Sequence, residues 1–322
     1  MEQNSNIPWI EKYRPKNITE LCCDKNTRNK LNKFIEDKNM PNIIITGIPG
    51  IGKTTTILCL AEKLLGKYIR QGVLELNASD DRGIKGVQDS IIYFCKKKLD
   101  LESDEYCKHK IVLLDEADNM TKKAQQLINN LMEKYKNTRF AFTCNNSAEI
   151  IEAIQSRCII FRYKRLSNKK ILNRLKTICE QEKVPFNDQG LDAIITISQG
   201  DMRQAINNLQ LIFNGFQFIN EENVFKLCDR PHPLIIKNIF MACREKNISK
   251  ALIYLQELRN NGFSSSDISI SMIETIKTTK QDEISEKIKI NFMNEISKTC
   301  LIISSGIDSA LQLTGCICKM CQ

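Results

Sequence analysis

The residues Gly47-Ile-Pro-Gly50-Ile-Gly52-Lys53-Thr54 fit the pattern G-x-x-x-x-G-K-S/T. Glycines at this spacing let the backbone curl until its N–H groups converge on phosphate oxygens. Lys53 then supplies a point charge for the β- and γ-phosphates, and the Thr54 hydroxyl is a ligand for Mg²⁺. Further along, the apolar run Ile111–Leu114 ends in Asp115-Glu116. A carboxylate at the end of a buried strand stands where α/β sheets bind ligands. Asp115 suits Mg²⁺ held through water, and Glu116 suits a general base that polarises an attacking water. Each feature alone has a plain reading, a glycine-rich turn or a solvated helix start. Together they specify hydrolysis of a nucleoside triphosphate. The letters Asp115–Asp118 also spell DEAD, but a helicase of that kind needs a second nucleotide-type α/β domain, and the remainder of this chain reads as helical.

The elements that must position these groups follow from hydrophobic patterning. Nearly continuous apolar runs at Asn42–Thr46, Val73–Leu76, Ile111–Asp115, Arg139–Cys144 and Cys158–Phe161 read as strands covered on both faces. Between them the spacing predicts helices over Lys53–Leu65, Ile84–Leu99, Thr121–Lys136 and Glu149–Gln155, each on a connection long enough for a crossover. The fold class is therefore α/β, a doubly wound parallel sheet. From about Lys164 onward the pattern is all helical. Starts are marked by Ser167, Asp188, Asp201 and Asn220, and stops by Gly200 and Gly215. The prolines of Asp229–Pro233 mark a linker, and helices resume beyond it, with breaks near Asn260–Phe263 and Gly306. Three blocks are expected, over 1–164, 165–230 and 231–322.

Composition narrows the class of function. The chain has 322 residues, 42% hydrophobic and 26% charged, with a formal net charge of +9. That is ample for a buried core, and the basic balance is compatible with a polyanionic partner. Fourteen cysteines would suggest a disulfide framework in a small secreted domain. Here they are dispersed, Met1–Pro15 has no export-signal apolar core, and no apolar run approaches the ~20 residues of a membrane span. A reduced, intracellular, soluble protein with no membrane partner is the expectation. His109 and His232 share no ligand spacing, and Cys316-Ile-Cys318-Lys-Met-Cys321 does not make a four-ligand zinc pattern, so free thiols are expected there.

With these residues assembled, the chain resembles the small subunits of replication factor C, clamp-loader ATPases of the AAA+ class. The resemblance covers essentially the whole chain. It is carried by Pro8–Pro15 (PWIEKYRP), Gly47–Thr55 (GIPGIGKTT), Leu74–Gly83 (LELNASDDRG), Leu113–Asp118, Cys144–Asn145, Ser156-Arg157-Cys158 and Gly200–Ala205 (GDMRQA), with further matches at Gly215–Cys228 and Pro231–Leu234. PWIEKYRP and the Ser-Arg-Cys box are specific to clamp-loader small subunits. The resemblance implies a AAA+ P-loop parallel-sheet domain, a helical lid domain and an all-α collar domain that joins subunits.

It also implies roles by position. Ile10 and Cys22 would pack on adenine and ribose. Gly47, Ile48, Pro49, Gly50, Ile51, Gly52, Lys53, Thr54 and Thr55 would hold the phosphates of ATP, with Thr54 and Asp115 on Mg²⁺. Asn145 would be a first sensor of the γ-phosphate and Arg203 a second. Arg157 would act in trans, as an arginine finger on a neighbour's nucleotide. Implied partners are the other replication factor C subunits in a heteropentamer, a sliding clamp, and primer-template DNA. The DNA would be contacted through its backbone by Arg82, Ile84 and Lys85, and the implied compartment is the nucleus. The chain departs from the family pattern at Gln88, where an arginine is usual, at Asn129-Asn130, where the family has an arginine pair, and at Cys23, often glycine. None of these touches the phosphate-binding residues.

Overall fold

A computed structural model describes residues 7–78, 83–99, 106–227, 230–279, 284–307 and 309–322. The chain divides into two compact units. The first comprises residues 1–185 with 194–214, and the second residues 186–193 with 215–322.

The first unit is built on five parallel strands, β1 (Ile43–Thr46), β2 (Val73–Asn77), β3 (Lys110–Asp115), β4 (Thr138–Cys144) and β5 (Ile159–Arg162), in the order β2-β3-β4-β1-β5. Its helices are α1 (Trp9–Lys12), α2 (Lys25–Glu36), α3 (Lys53–Leu65), α4 (Ile69–Gly72), α5 (Gly83–Lys96), α6 (Lys122–Lys134), α7 (Glu152–Gln155) and α8 (Asn168–Glu182). Strand alternation explains the layering. Ile43, Ile45, Ile111, Leu113 and Ala141 pack on one face with Ile57, Leu60 and Leu64 of α3. Ile44, Val112, Leu114, Phe140 and Phe142 pack on the other with Ile128, Leu131 and Met132 of α6. Because successive side chains point to opposite faces, strands covered on both sides must be apolar throughout. β1, β3 and β4 show that pattern, whereas the edge strands β2 and β5, expected to be covered on both faces as well, are only partly covered, with Glu75 and Ile159 exposed.

Two helices, α9 (Asp188–Ser198) and α10 (Met202–Phe216), are divided between the units. The second unit continues with α11 (Glu221–Leu227), α12 (Pro233–Arg244), α13 (Ile248–Asn260), α14 (Ser265–Thr278), α15 (Glu286–Ser304) and α16 (Ala310–Met320). Its core joins Ile239 and Phe240 of α12, Leu255 and Leu258 of α13, Met272 and Ile276 of α14, Phe292 and Ile296 of α15 and Leu313 and Ile317 of α16. Among the described residues every cysteine is free, no cluster of His, Cys, Asp or Glu is arranged to hold a metal ion, and no helix is long and apolar enough to cross a membrane.

Two local expectations need correction. Gly215 does not stop a helix, since α10 runs through it to Phe216. A Cβ there would lie 2.9 Å from Leu227 Cδ1, so the glycine permits a close approach of α11. The helix expected over Glu149–Gln155 is a 3₁₀ turn at Ser147–Glu149 followed by α7, with Ile150 and Ile151 extended between them. The lysine run Lys96–Lys98 is exposed, as a solvated helix end should be. The last carbonyls of the α5 segment are instead taken by Lys110 at the start of β3, whose ammonium donates to Phe94 O and Lys97 O.

His109, beside Lys110, is buried, and its Nε2 has no hydrogen-bond partner among the described residues. Burial, helped by the nearby Arg139 charge, pulls its pKa from 6.5 down to about 4. Above pH 6.5 the imidazole is neutral folded or unfolded. As pH falls from there towards 4, the unfolded chain takes up the proton first and stability is lost, by at most about 3 kcal/mol. In His109→Leu the acid limb of stability against pH should be correspondingly shallower in this window, as measured by urea unfolding. An unchanged limb would show that the wild-type imidazole protonates freely in the folded state.

Candidate functional site

The site is assembled at the C-terminal ends of β1, β3 and β4. The loop after β1 takes positive φ at Gly50 (68°) and Gly52 (90°), conformations that a side chain would strain. At Gly50 a second constraint is tighter, because a Cβ would lie 1.7 Å from Oδ1 of Asp201. Asp201 caps α10, accepting the Gln204 N–H at 3.0 Å, and the Met202 N–H donates to Gly50 O at 3.1 Å. The start of α10 is thereby hydrogen-bonded to the phosphate loop, and it brings Met202 and Arg203 to the wall of the same cavity.

Lys53 opens α3 and points back into the loop. Its ammonium donates to Gly47 O at 2.7 Å, Ile48 O at 3.0 Å and Asn145 Oδ1 at 2.8 Å. Burial lowers its pKa, opposed chiefly by the Asp115 carboxylate. Thr54 Oγ1 lies 3.1 and 3.0 Å from the two Asp115 oxygens. A hydroxyl and a carboxylate at this separation form a hard-oxygen set suited to Mg²⁺. The Thr143 hydroxyl donates to Asp115 Oδ1 and accepts the Glu116 N–H at 3.1 Å. Glu116 is exposed and left-handed (φ 53°), a costly backbone state for a residue with a side chain, and Asn119 Nδ2 donates to its Oε2 at 3.2 Å.

The other wall comes from the beginning of the chain and from α8. Ile10, Cys22, Pro49, Gly50, Ile51, Gly52, Thr55 and Arg203 line the cavity together with Lys53, Thr54, Asp115, Glu116 and Asn145. Gly47 and Ile48 contribute through their carbonyls on Lys53. Two cations of α8 fasten the segments carrying Ile10 and Cys22. Arg174 donates to Tyr13 O at 2.6 Å, and Lys170 to Cys22 O at 2.8 Å and Cys23 O at 3.1 Å. The Trp9 N–H bonds to Gln210 Oε1 at 2.9 Å, and its ring stacks on Phe213 of α10. Burial pushes the Cys22 thiol up, which disfavours the thiolate that a nucleophile needs.

The arginine expected to act in trans stands apart from this set. Arg157, between α7 and β5, is absent from the cavity wall; its guanidinium pairs with the exposed Glu133 at the end of α6. Arg82 lies outside the described residues. Ile84 and Lys85 occupy the first turn of α5. Asn129 is buried, with its Nδ2 3.4 Å from Glu133 Oε1. Sequence reasoning missed Thr143, Asp118, Asp201, Lys170 and Arg174. For Asp201 a signal existed, its helix-capping position. Asp118 stood in the acidic run without a role of its own, and for Thr143, Lys170 and Arg174 only spatial adjacency reveals them.

Fold and site together define a P-loop ATPase of the AAA class: residues 43–166 match the family described as "ATPase family associated with various cellular activities". Residues 168–214 match the "RFC1-like, AAA+ ATPase lid domain" and residues 231–319 the "Replication factor C C-terminal domain". The chain is 48% identical to a "Probable replication factor C subunit 2" of Dictyostelium discoideum, over 98% of its own length and 92% of that protein's. It is 46% identical to "Replication factor C subunit 4" of Saccharomyces cerevisiae, over 98% of this chain and 95% of that one. The chain therefore belongs to the replication factor C subunit family, with relatives named subunit 2 or subunit 4, as the sequence motifs implied. Among solved structures, the Thermotoga maritima RuvB branch migration motor shares the fold alone, with a TM-score of 0.55 and 18% identity over 70% of this chain and 78% of that one.

Proposed function

We propose that this chain is an ATP-hydrolysing subunit of a heteropentameric clamp loader, which opens a sliding clamp and places it on primer-template DNA in the nucleus. The observation that carries this reading is the convergence of Lys53, Thr54, Asp115, Glu116, Asn145 and Arg203 on one cavity while Arg157 lies outside it. A complete hydrolytic set beside an arginine that cannot serve it is what a subunit acting on its neighbour requires.

The residues present fit ATP and Mg²⁺. The loop from Gly47 to Thr55 would hold the phosphates, with Ile10 and Cys22 against adenine and ribose. Thr54 and Asp115 would hold Mg²⁺, whose charge offsets that of the phosphates when it is bound. Lys53 exchanges its neutral carbonyl acceptors for phosphate oxygens, to which charge-assisted bonds are stronger. Glu116 accepts a proton from the attacking water, Asn145 orients that water against the γ-phosphate, and Arg203 adds positive charge from the lid side. Arg157 does the same for an adjacent subunit's nucleotide. Ile84 and Lys85, in the first turn of α5, meet the DNA backbone together with Arg82, and the block from 231 to 322 joins the subunits as a collar.

Affinity capture of the tagged full chain from its own cells, followed by mass spectrometry, tests the assembly. Four related ATPases and a ring-shaped clamp are the expected partners. Recovery of a homo-oligomer alone would overturn the reading.

A further inference from the structure

Asp118 is the member of the acidic run that the proposed chemistry leaves unused. It sits in the 3₁₀ turn Ala117–Asn119 that follows the left-handed Glu116. That reversal turns its side chain towards the end of β4, the neighbour of β3 in the sheet. There Asp118 Oδ2 accepts the backbone N–H groups of both Asn145 (2.9 Å) and Asn146 (3.3 Å). These are the first two residues past the strand, where ladder pairing ends and backbone donors need other partners. Asp118 Oδ1 is closed to solvent with no hydrogen-bond partner among the described residues. An orphaned carboxylate oxygen is destabilising, so the stability of the loop alone is a poor account of this residue.

The consequence of the two bonds is directional. Gripping consecutive N–H groups fixes the backbone at Asn145, and so the direction of its side chain, whose Oδ1 meets Lys53 Nζ at 2.8 Å. We propose that Asp118 is the positioning residue for Asn145, clamping the backbone so that the amide faces the γ-phosphate position. This rests on the reading of Asn145 as the phosphate-sensing amide.

The test uses the assembled complex with the other subunits' ATP sites disabled, so that turnover reports this chain, together with thermal unfolding of each variant. Asn145→Ala and Asp118→Ala should each lower kcat about tenfold while KM for ATP stays within about threefold. The double variant should be no slower than Asn145→Ala alone, because Asp118 acts only through that amide. Asp118→Asn keeps an acceptor for both N–H groups and should restore most of the turnover. Multiplied losses in the double variant, full turnover in Asp118→Ala, or no rescue by Asp118→Asn would overturn the proposal. Wild-type turnover in Asn145→Ala would instead overturn the sensor reading beneath it. Should Asp118→Ala fail to fold, amide exchange in Asp118→Asn decides. Protected Asn145 and Asn146 N–H groups with turnover kept support the clamp; the same protection with turnover lost overturns it.

Discussion

Glu116→Gln is expected to leave ATP binding intact and to cut turnover at this chain's site by about 10²–10⁴-fold, the usual scale for removing a general base. The binding groups are separate from Glu116: Lys53 donates to Gly47 O, Ile48 O and Asn145 Oδ1, and Thr54 to Asp115, so none of these bonds involves its carboxylate. Gln is nearly isosteric, and the Glu116 backbone N–H that bonds Thr143 is unchanged by the substitution. The variant should trap the complex with ATP bound and the clamp held, so that clamp loading proceeds and clamp release fails. Single-turnover hydrolysis, equilibrium nucleotide binding and a fluorescence assay of clamp release on primer-template DNA separate these steps. Release at the wild-type rate would refute the catalytic assignment and leave this chain an architectural subunit that supplies Arg157 and collar contacts.

The second large effect concerns a site that this chain does not contain. Arg157→Ala should leave the chain's own ATP affinity unchanged, because Arg157 does not line its cavity. At the neighbouring subunit's nucleotide, loss of a finger is worth about 10³–10⁵ in rate by the measure of GTPases. Stability should hardly change, since the Arg157–Glu133 pair is exposed and ion pairs of that kind contribute little. Whole-complex ATPase with the partner site as the only active one is the measurement. An undiminished rate there, or weakened ATP binding by the isolated variant chain, would count against action in trans.

Much of this site was legible in one dimension. A phosphate loop is contiguous, so Gly47 to Thr54 carries its glycines, lysine and hydroxyl in a single run, and the flanking strand and helix announce themselves by apolar period. Asp115 was legible because it ends an apolar run. The central strands β1, β3 and β4 were placed well for the same reason, since burial on both faces leaves an unbroken apolar signature. Where expectations slipped, at Gly215 and at Glu149–Gln155, the deciding factor was packing. A glycine that admits the approach of Leu227 is spelled like one that ends a helix, and two short turns share the letters of one helix.

What the sequence determined by itself is the candidate set: the phosphate-loop and acidic residues, their order, and the sheet that carries them. What only the tertiary structure decided is their mutual constraint. Asp201 closes on Gly50 across a long stretch of chain, Thr143 ties Asp115 to the Glu116 backbone, and Asp118 grips the end of the next strand over. Parallel strands bring residues together only through crossover connections, so neighbours in a site are distant in sequence. A carboxylate after a strand looks the same in sequence whether it meets water, a cation or a backbone amide, and that difference arises only when the strands are laid side by side.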